Sequence, residues 1–378
     1  MTTHTHLSSS PRPAVVKAHG AADLLSLVPL LIGCRPRDSV VLVPFAGGRA
    51  AGGLRLDLPA DELSADETAE IAAEFVGHLA RLPREIDRAA VVVYTDDPYR
   101  DEQGRVARSA FVQALLRCLA AAEYGLVDAL CVGSDGWGQC LDGPFEPHPL
   151  SEIEPDRLAL PGMEVPQGDQ HAGTELPPSN LIEREQVGHE LLRLTLRSDD
   201  PTLPDLFEDS LAHDPADLSP PVLARLTLAL DRPSTRDIAL GQWAGDLDEG
   251  RAIQRFNVAW SRGERIEFDG PLRLAGEGHE ADPDRLRHAL EVAKRVASVA
   301  PRARRAGPFA ASAWLSWALG RSTHAAHFVK LAREIDPHHG LADIIAAMVA
   351  QTHLPAWLGS RVSPQASRAR RAGQRAAS

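Results

Sequence analysis

Three short polar clusters each close an apolar run of strand type: Arg55 with Asp57, Thr95 with Asp96 and Asp97, and Ser134 with Asp135. In open α/β sheets, ligands bind outside the carboxyl ends of the parallel strands. Carboxylates of Asp57, Asp96 and Asp135 meeting there would hold a magnesium ion by oxygen ligation. Arg55 would take a phosphate or carboxylate across its fork, with Asp38, Ser39, Ser134 and Trp137 completing the ligand-binding candidates. That chemistry suits a magnesium-dependent enzyme acting on a small phosphorylated or nucleotide-like ligand. The same residue types are also the usual helix caps and turn formers after a strand.

Among the histidines, His324 and His327 stand at i and i+3, and His338 and His339 lie beside Asp336 and Asp343. Helix-borne histidines at that spacing can chelate zinc, although exposed histidines on an amphipathic helix have the same spacing. Signatures of nucleophilic or nucleotide chemistry are missing. Gly133-Ser134-Asp135-Gly136 follows Val132, so it falls short of a Gly-x-Ser-x-Gly elbow. The glycines of 47–53 lack the Lys-Ser/Thr of a phosphate-binding loop, and His189-Glu190 has no second zincin histidine.

These clusters need elements to position them. Apolar spacing predicts a short buried helix over 21–32, ended by Gly33, then a strand over 39–45, a glycine-rich hairpin loop over 47–53 and a returning strand over 54–58. Helical spacing over 61–82 and 104–124 alternates with strands over 89–95 and 126–133, and 137–141 pairs back as a fifth strand. Strand–helix–strand–helix–strand implies two right-handed crossovers. The strands 54–58, 89–95 and 126–133 are therefore expected to be mutually parallel in one sheet, flanked by antiparallel hairpin strands.

Residues 144–180 hold eight prolines and read as a linker between the α/β domain, 21–143, and a mostly helical domain, 181–358. Helices are expected over 181–196, 221–230, 234–247, 283–299, 308–319, 323–335 and 341–351, with 253–268 ambiguous. Gly320, Ala325, Ala332 and Pro337 fall at the spacings of the later half of a tetratricopeptide repeat, and Trp314 and Trp317 could fill the neighbouring layer. An ordinary antiparallel helical hairpin gives the same pattern. The fold class is thus an α/β N-terminal domain with a mixed, partly parallel sheet, followed by a mostly helical region with a TPR-like helical hairpin. Segments 1–20 and 359–378 have the composition of disordered termini, the second of them basic.

A formal net charge of −12 argues against nucleic acid as a partner, except through the basic tail. No apolar run approaches the roughly 18–20 residues of a membrane span. Four irregularly spaced cysteines make no disulfide framework, and the N-terminus lacks the basic region of a signal peptide. A cytoplasmic location is expected. Missing catalytic signatures and the repeat-like hairpin favour a non-catalytic interaction or regulatory protein that docks a protein partner through its helical region.

Several stretches carry a resemblance: Asp23-Leu-Leu, Val28-Pro29, Leu31 to Val40 (LIGCRPRDSV) and Arg55 to Pro59 (RLDLP). Asp128 to Val132, Gly136-Trp137, Gly143-Pro144, Arg236-Asp237, the Trp314 helix ending at Gly320, Asp336-Pro337 and Leu341-Ala342 extend it along nearly the whole chain. They resemble the family known as domain of unknown function 4192, in which Cys34 replaces a more usual aromatic. The resemblance implies membership and no activity.

Overall fold

The structure, a computed structural model, describes residues 18–82, 85–140, 146–158, 165–264, 267, 268 and 270–361. The terminal segments 1–17 and 362–378 and the expected strand end at Leu141 lie outside the described residues. The chain divides into two compact units at Gln170/His171.

In the first unit, α1 (Ala21–Ile32) ends at Gly33, whose φ of 76° lets its N–H turn back onto the Pro29 carbonyl. β1 (Ser39–Ala46) follows, with β2 (Arg49–Ala50) and β3 (Leu54–Asp57) returning antiparallel along one edge of it. β4 (Arg88–Tyr94) pairs antiparallel with the other edge of β1. β5 (Gly125–Val132) pairs parallel with β4, and β6 (Trp137–Gln139) pairs antiparallel with β5. The order across the sheet is therefore β3-β1-β4-β5-β6.

β3, β4 and β5 run in one direction, as their spacing predicts. The hairpin strand, however, does not flank that set: β1 lies inside it, antiparallel to both β3 and β4, so among the described residues β4 and β5 are the one directly parallel pair. The reason is in the side chains. Val40 to Val43 are fully buried on both faces of β1, as suits an interior strand, whereas β3 alternates leucine with Arg55 and Asp57 and suits an edge.

α2 (Ala65–Ala80) and α3 (Ser109–Ala121) cover one face, where Phe75 and Phe111 meet edge to face at 5.7 Å over Val40, Leu42, Val91 and Val93. α2 begins at Ala65, not 61, because Ser64 and Glu67 form a reciprocal capping box. α1 covers the other face over Val41, Val43 and Val92. Two 3₁₀ turns within the proline-rich stretch, Leu150–Ile153 and Pro155–Arg157, bring Leu150 and Ile153 against this second layer.

The second unit is helical: α4 (Leu181–Arg193), α5 (Leu203–Leu211), α6 (Pro220–Asp231), α7 (Pro233–Ala244), α8 (Leu247–Ser261), α9 (Pro283–Val299), α10 (Ala306–Ala318), α11 (Ser322–Arg333), α12 (Gly340–Ala350) and α13 (Ala356–Arg361). α9 has the bounds its apolar spacing predicts. α8 starts earlier than 253 because Asp246 caps it on the Glu249 N–H. Every residue of α10 is buried, so it is the axis of the unit. Trp314, Trp317 and Trp357 each bury an indole and donate its N–H to a carbonyl, of Leu274, His353 and Ala318 respectively. Among the described residues no helix is long and apolar enough to cross a membrane.

Candidate functional site

The C-terminal ends of β3, β4 and β5 form one edge of the sheet in the first unit. Register aligns Asp57, Ser39, Tyr94, Val132 and Trp137 across it. The polar groups of this edge hold one another. The Arg55 side chain is only 10% exposed and donates from Nη1 to Ser39 Oγ at 2.9 Å and Asp57 Oδ1 at 2.8 Å. Arg37 lays its fork on Asp96, with Nε 3.3 Å from Oδ1 and Nη2 on Oδ2. Hydrogen bonding to Asp96 raises the Arg37 pKa above its ordinary value. The Asp96 N–H in turn donates to Asp38 Oδ1 at 3.1 Å. Arg108 bridges Asp61 at 2.5 Å and Asp97 at 3.3 Å, and donates to the Pro59 carbonyl.

Asp135 does a different job. Its Oδ1 accepts the Tyr99 N–H at 2.7 Å while the Ser134 N–H donates to the Asp97 carbonyl at 2.9 Å, so the turn after β5 is stitched to the turn after β4. Gly133 makes this possible, because a Cβ there would lie 2.5 Å from the Tyr99 nitrogen and 2.8 Å from its Cα. Both are backbone atoms and cannot swing aside. Gly133→Ala is expected to lower stability by about 1–3 kcal/mol, the cost of forced overpacking. Urea unfolding measures it, and an unchanged midpoint would contradict this account of the turn.

Asp57, Asp96 and Asp135 are therefore not gathered: among the described residues no three or more His, Cys, Asp or Glu side chains are arranged to hold a metal ion. What the edge leaves unused is donor capacity. Tyr94 Oη and Trp137 Nε1 are buried without a hydrogen-bond partner among the described residues. Burial, then the neighbouring Cys34, raises the Tyr94 hydroxyl pKa. Burial likewise raises the Cys34 thiol, against a downward pull from Arg55. Trp137 also stacks on His148 at 4.5 Å. Sequence reading passed over Arg37, Arg108 and Tyr94. Arg37 sits within the most specific stretch of the resemblance, which was the available signal.

The histidines separate into two roles. His339 Nδ1 accepts the Ala342 N–H at 3.4 Å as the cap of α12, and the His338 backbone N–H donates to Asp336 Oδ1. His324 is buried with Nδ1 unpartnered among the described residues, and burial followed by Arg321, Lys294, His171 and His327 lowers its pKa to about 4. His171 and His327 approach at 6.5 Å.

A groove of about 540 Å³ runs between α11 and α12, lined by Ala326, Val329, Ala346, Val349 and Ala350. Lys330, Arg333 and Glu334 form its rim, and Arg333 Nη2 clasps Asp343 of α12 at 2.6 Å.

No curated protein and no solved structure matches this chain. One family model does, from residue 22 to 189, covering the whole six-stranded sheet and reaching into α4. The resembling pieces at Arg236-Asp237, Trp314 to Gly320 and Asp336 to Ala342 fall beyond that stretch. With α1, the Gly33 turn and the Arg37-to-Asp57 edge all inside the match, residues 22–189 are similar to the family described as Domain of unknown function (DUF4192).

Proposed function

We propose that this protein is a non-catalytic interaction protein whose helical unit docks one helix of a protein partner in the groove between α11 and α12. The observation that carries this reading is the apolar, small-residue lining of that groove beneath a charged rim. The α10–α11 hairpin is TPR-like in its small residues, and units of that kind bury their open face against a following helix. Here the short α13 packs elsewhere: Trp357 stands edge-on to Trp317 at 6.5 Å and donates to the α10 carbonyl of Ala318. The open face then suits a partner helix carrying an apolar stripe with mixed charges beside it. The magnesium-enzyme reading has no comparable support, since arginines engage Asp57, Asp96 and Asp97.

A photo-reactive side chain placed at Ala346, with a control at exposed Glu185, tests the docking in the native host. The expected result is a discrete adduct with another protein from Ala346 alone, lost when Val349→Glu places a charge in the groove. Loss of a central apolar contact should weaken binding by about 30-fold or more. Equal adducts from both positions, adducts that survive Val349→Glu, or an adduct only with a second copy of the chain would each overturn the proposal.

A further inference from the structure

A separate pocket of about 360 Å³ opens where the end of α8 meets the segment between α4 and α5. Three guanidiniums, of Arg197, Arg232 and Arg262, line it with one carboxylate, Asp199. The concavity therefore has a surplus of two positive charges in a chain of net charge −12. Ser198 and Ser261 share its wall, the Ser261 hydroxyl donating to the Val258 carbonyl at 2.7 Å, and Leu196 and Val258 supply an apolar side.

Each cation is held differently. Arg197 lays its fork on Asp199, Nε on Oδ1 and Nη2 on Oδ2, both at 2.9 Å. Arg232 is anchored by a single Nη1 donor to the Leu196 carbonyl. Arg262 contributes its backbone N–H to the last turn of α8, on Val258 and Ala259, and its side chain pairs with no carboxylate among the described residues. Its charge still reaches the pocket: Asp199 is held below the usual carboxylate range by Arg197 first, and Arg262 adds to the effect. One guanidinium is thus occupied by an internal carboxylate, and two keep donors for something else.

We propose that this pocket binds a phosphate monoester, with Arg232 and Arg262 taking the phosphate oxygens and Asp199 competing with the ligand for Arg197. Paired arginine forks match the oxygen geometry of phosphate, and a dianion matches the surplus of two charges. A volume of about 360 Å³ lies at the lower end of small-molecule sites and exceeds a bare phosphate. Leu196 and Val258 can then face the organic part.

Calorimetric titration of the full chain at low salt, with phenyl phosphate, inorganic phosphate, phenol and a phosphoserine peptide as probes, tests this. Phenyl phosphate should bind, phenol should not, and added salt should weaken the interaction. Arg262→Gln should weaken binding by about tenfold or more, and Arg262→Lys should weaken it less, because it keeps the charge and loses the fork. Asp199→Asn should tighten binding by freeing Arg197, a gain that a merely disturbed fold would not produce. Tighter binding of the peptide than of phenyl phosphate supports the pocket and assigns the phosphate to a modified partner protein. Binding that is indifferent to Arg262→Gln, or weaker in Asp199→Asn, overturns the proposal. Val349→Glu in the α11–α12 groove should leave this titration unchanged, so the two sites fail independently.

Discussion

Trp317→Ala is expected to lower the melting midpoint of the helical unit by about 10 °C or more. The Trp317 indole is fully buried, contacts Trp314 at 6.1 Å and Trp357 at 6.5 Å, and donates its N–H to the His353 carbonyl at 2.7 Å. Truncating a buried tryptophan costs about 3–5 kcal/mol. Here the change also strands a carbonyl that the indole satisfies, and it unpins the segment leading into α13. In a unit of this size each kcal/mol is worth about 2–4 °C. Calorimetry measures the shift, with Trp260→Ala as the control, because Trp260 is 69% exposed and should change little. A Trp317→Ala midpoint within 2 °C of the parent would show that these indoles do not hold α10 to its neighbours.

The second large effect is on acid stability. Burial, followed by the nearby Arg321, Lys294, His171 and His327, lowers the His324 pKa from its ordinary 6.5 to about 4 in the folded chain. Between those values the unfolded chain binds a proton that the folded chain refuses. Stability is therefore fully present above pH 6.5, falls as the pH drops through that window, and loses nothing more from this residue below about pH 4. The depression is worth about 3 kcal/mol. His327, His339 and His78 are lowered too, each chiefly by burial, and they steepen the same slope. Urea unfolding of the parent and His324→Phe at pH 7, 6, 5 and 4.5 isolates the contribution. The variant should lose much less stability across the series, and parallel curves would contradict the assignment.

Much of this fold is legible in the residues. The all-apolar runs of β1 and β4, the Ser64 and Glu67 cap, and the uninterrupted spacing of α9 encode their elements locally. Strand order is not local. The run Val40 to Val43 says that β1 is buried, but which two strands bury it depends on edges that only the assembled sheet defines. α5 escaped because nine residues give little periodicity, although Pro204 in its first turn and the Leu203, Leu206, Phe207 spacing were signals. The strand-end residues were found, but their partners were not. Asp96 reads as a ligand until Arg37 arrives from a different element, and Asp135 until the Tyr99 N–H is in place. Charge pairing between distant elements leaves no mark in spacing.

The interior position of β1 also sets the order in which this domain can be completed on the ribosome. The hairpin of β1 with β2 and β3 emerges early and closes one edge of β1 locally. The other edge waits for β4, whose last residue, Tyr94, is made 48 residues after Ala46. At about 5–20 residues per second, that interval lasts about 2–10 s during synthesis. Throughout it, Val40 to Val43 offer an open strand edge with apolar side chains on both faces, a template for pairing with another nascent chain. Slowing translation between Ala46 and Tyr94 should therefore increase aggregation of newly made protein, whereas slowing it after Val132, when β1 is closed on both sides, should not.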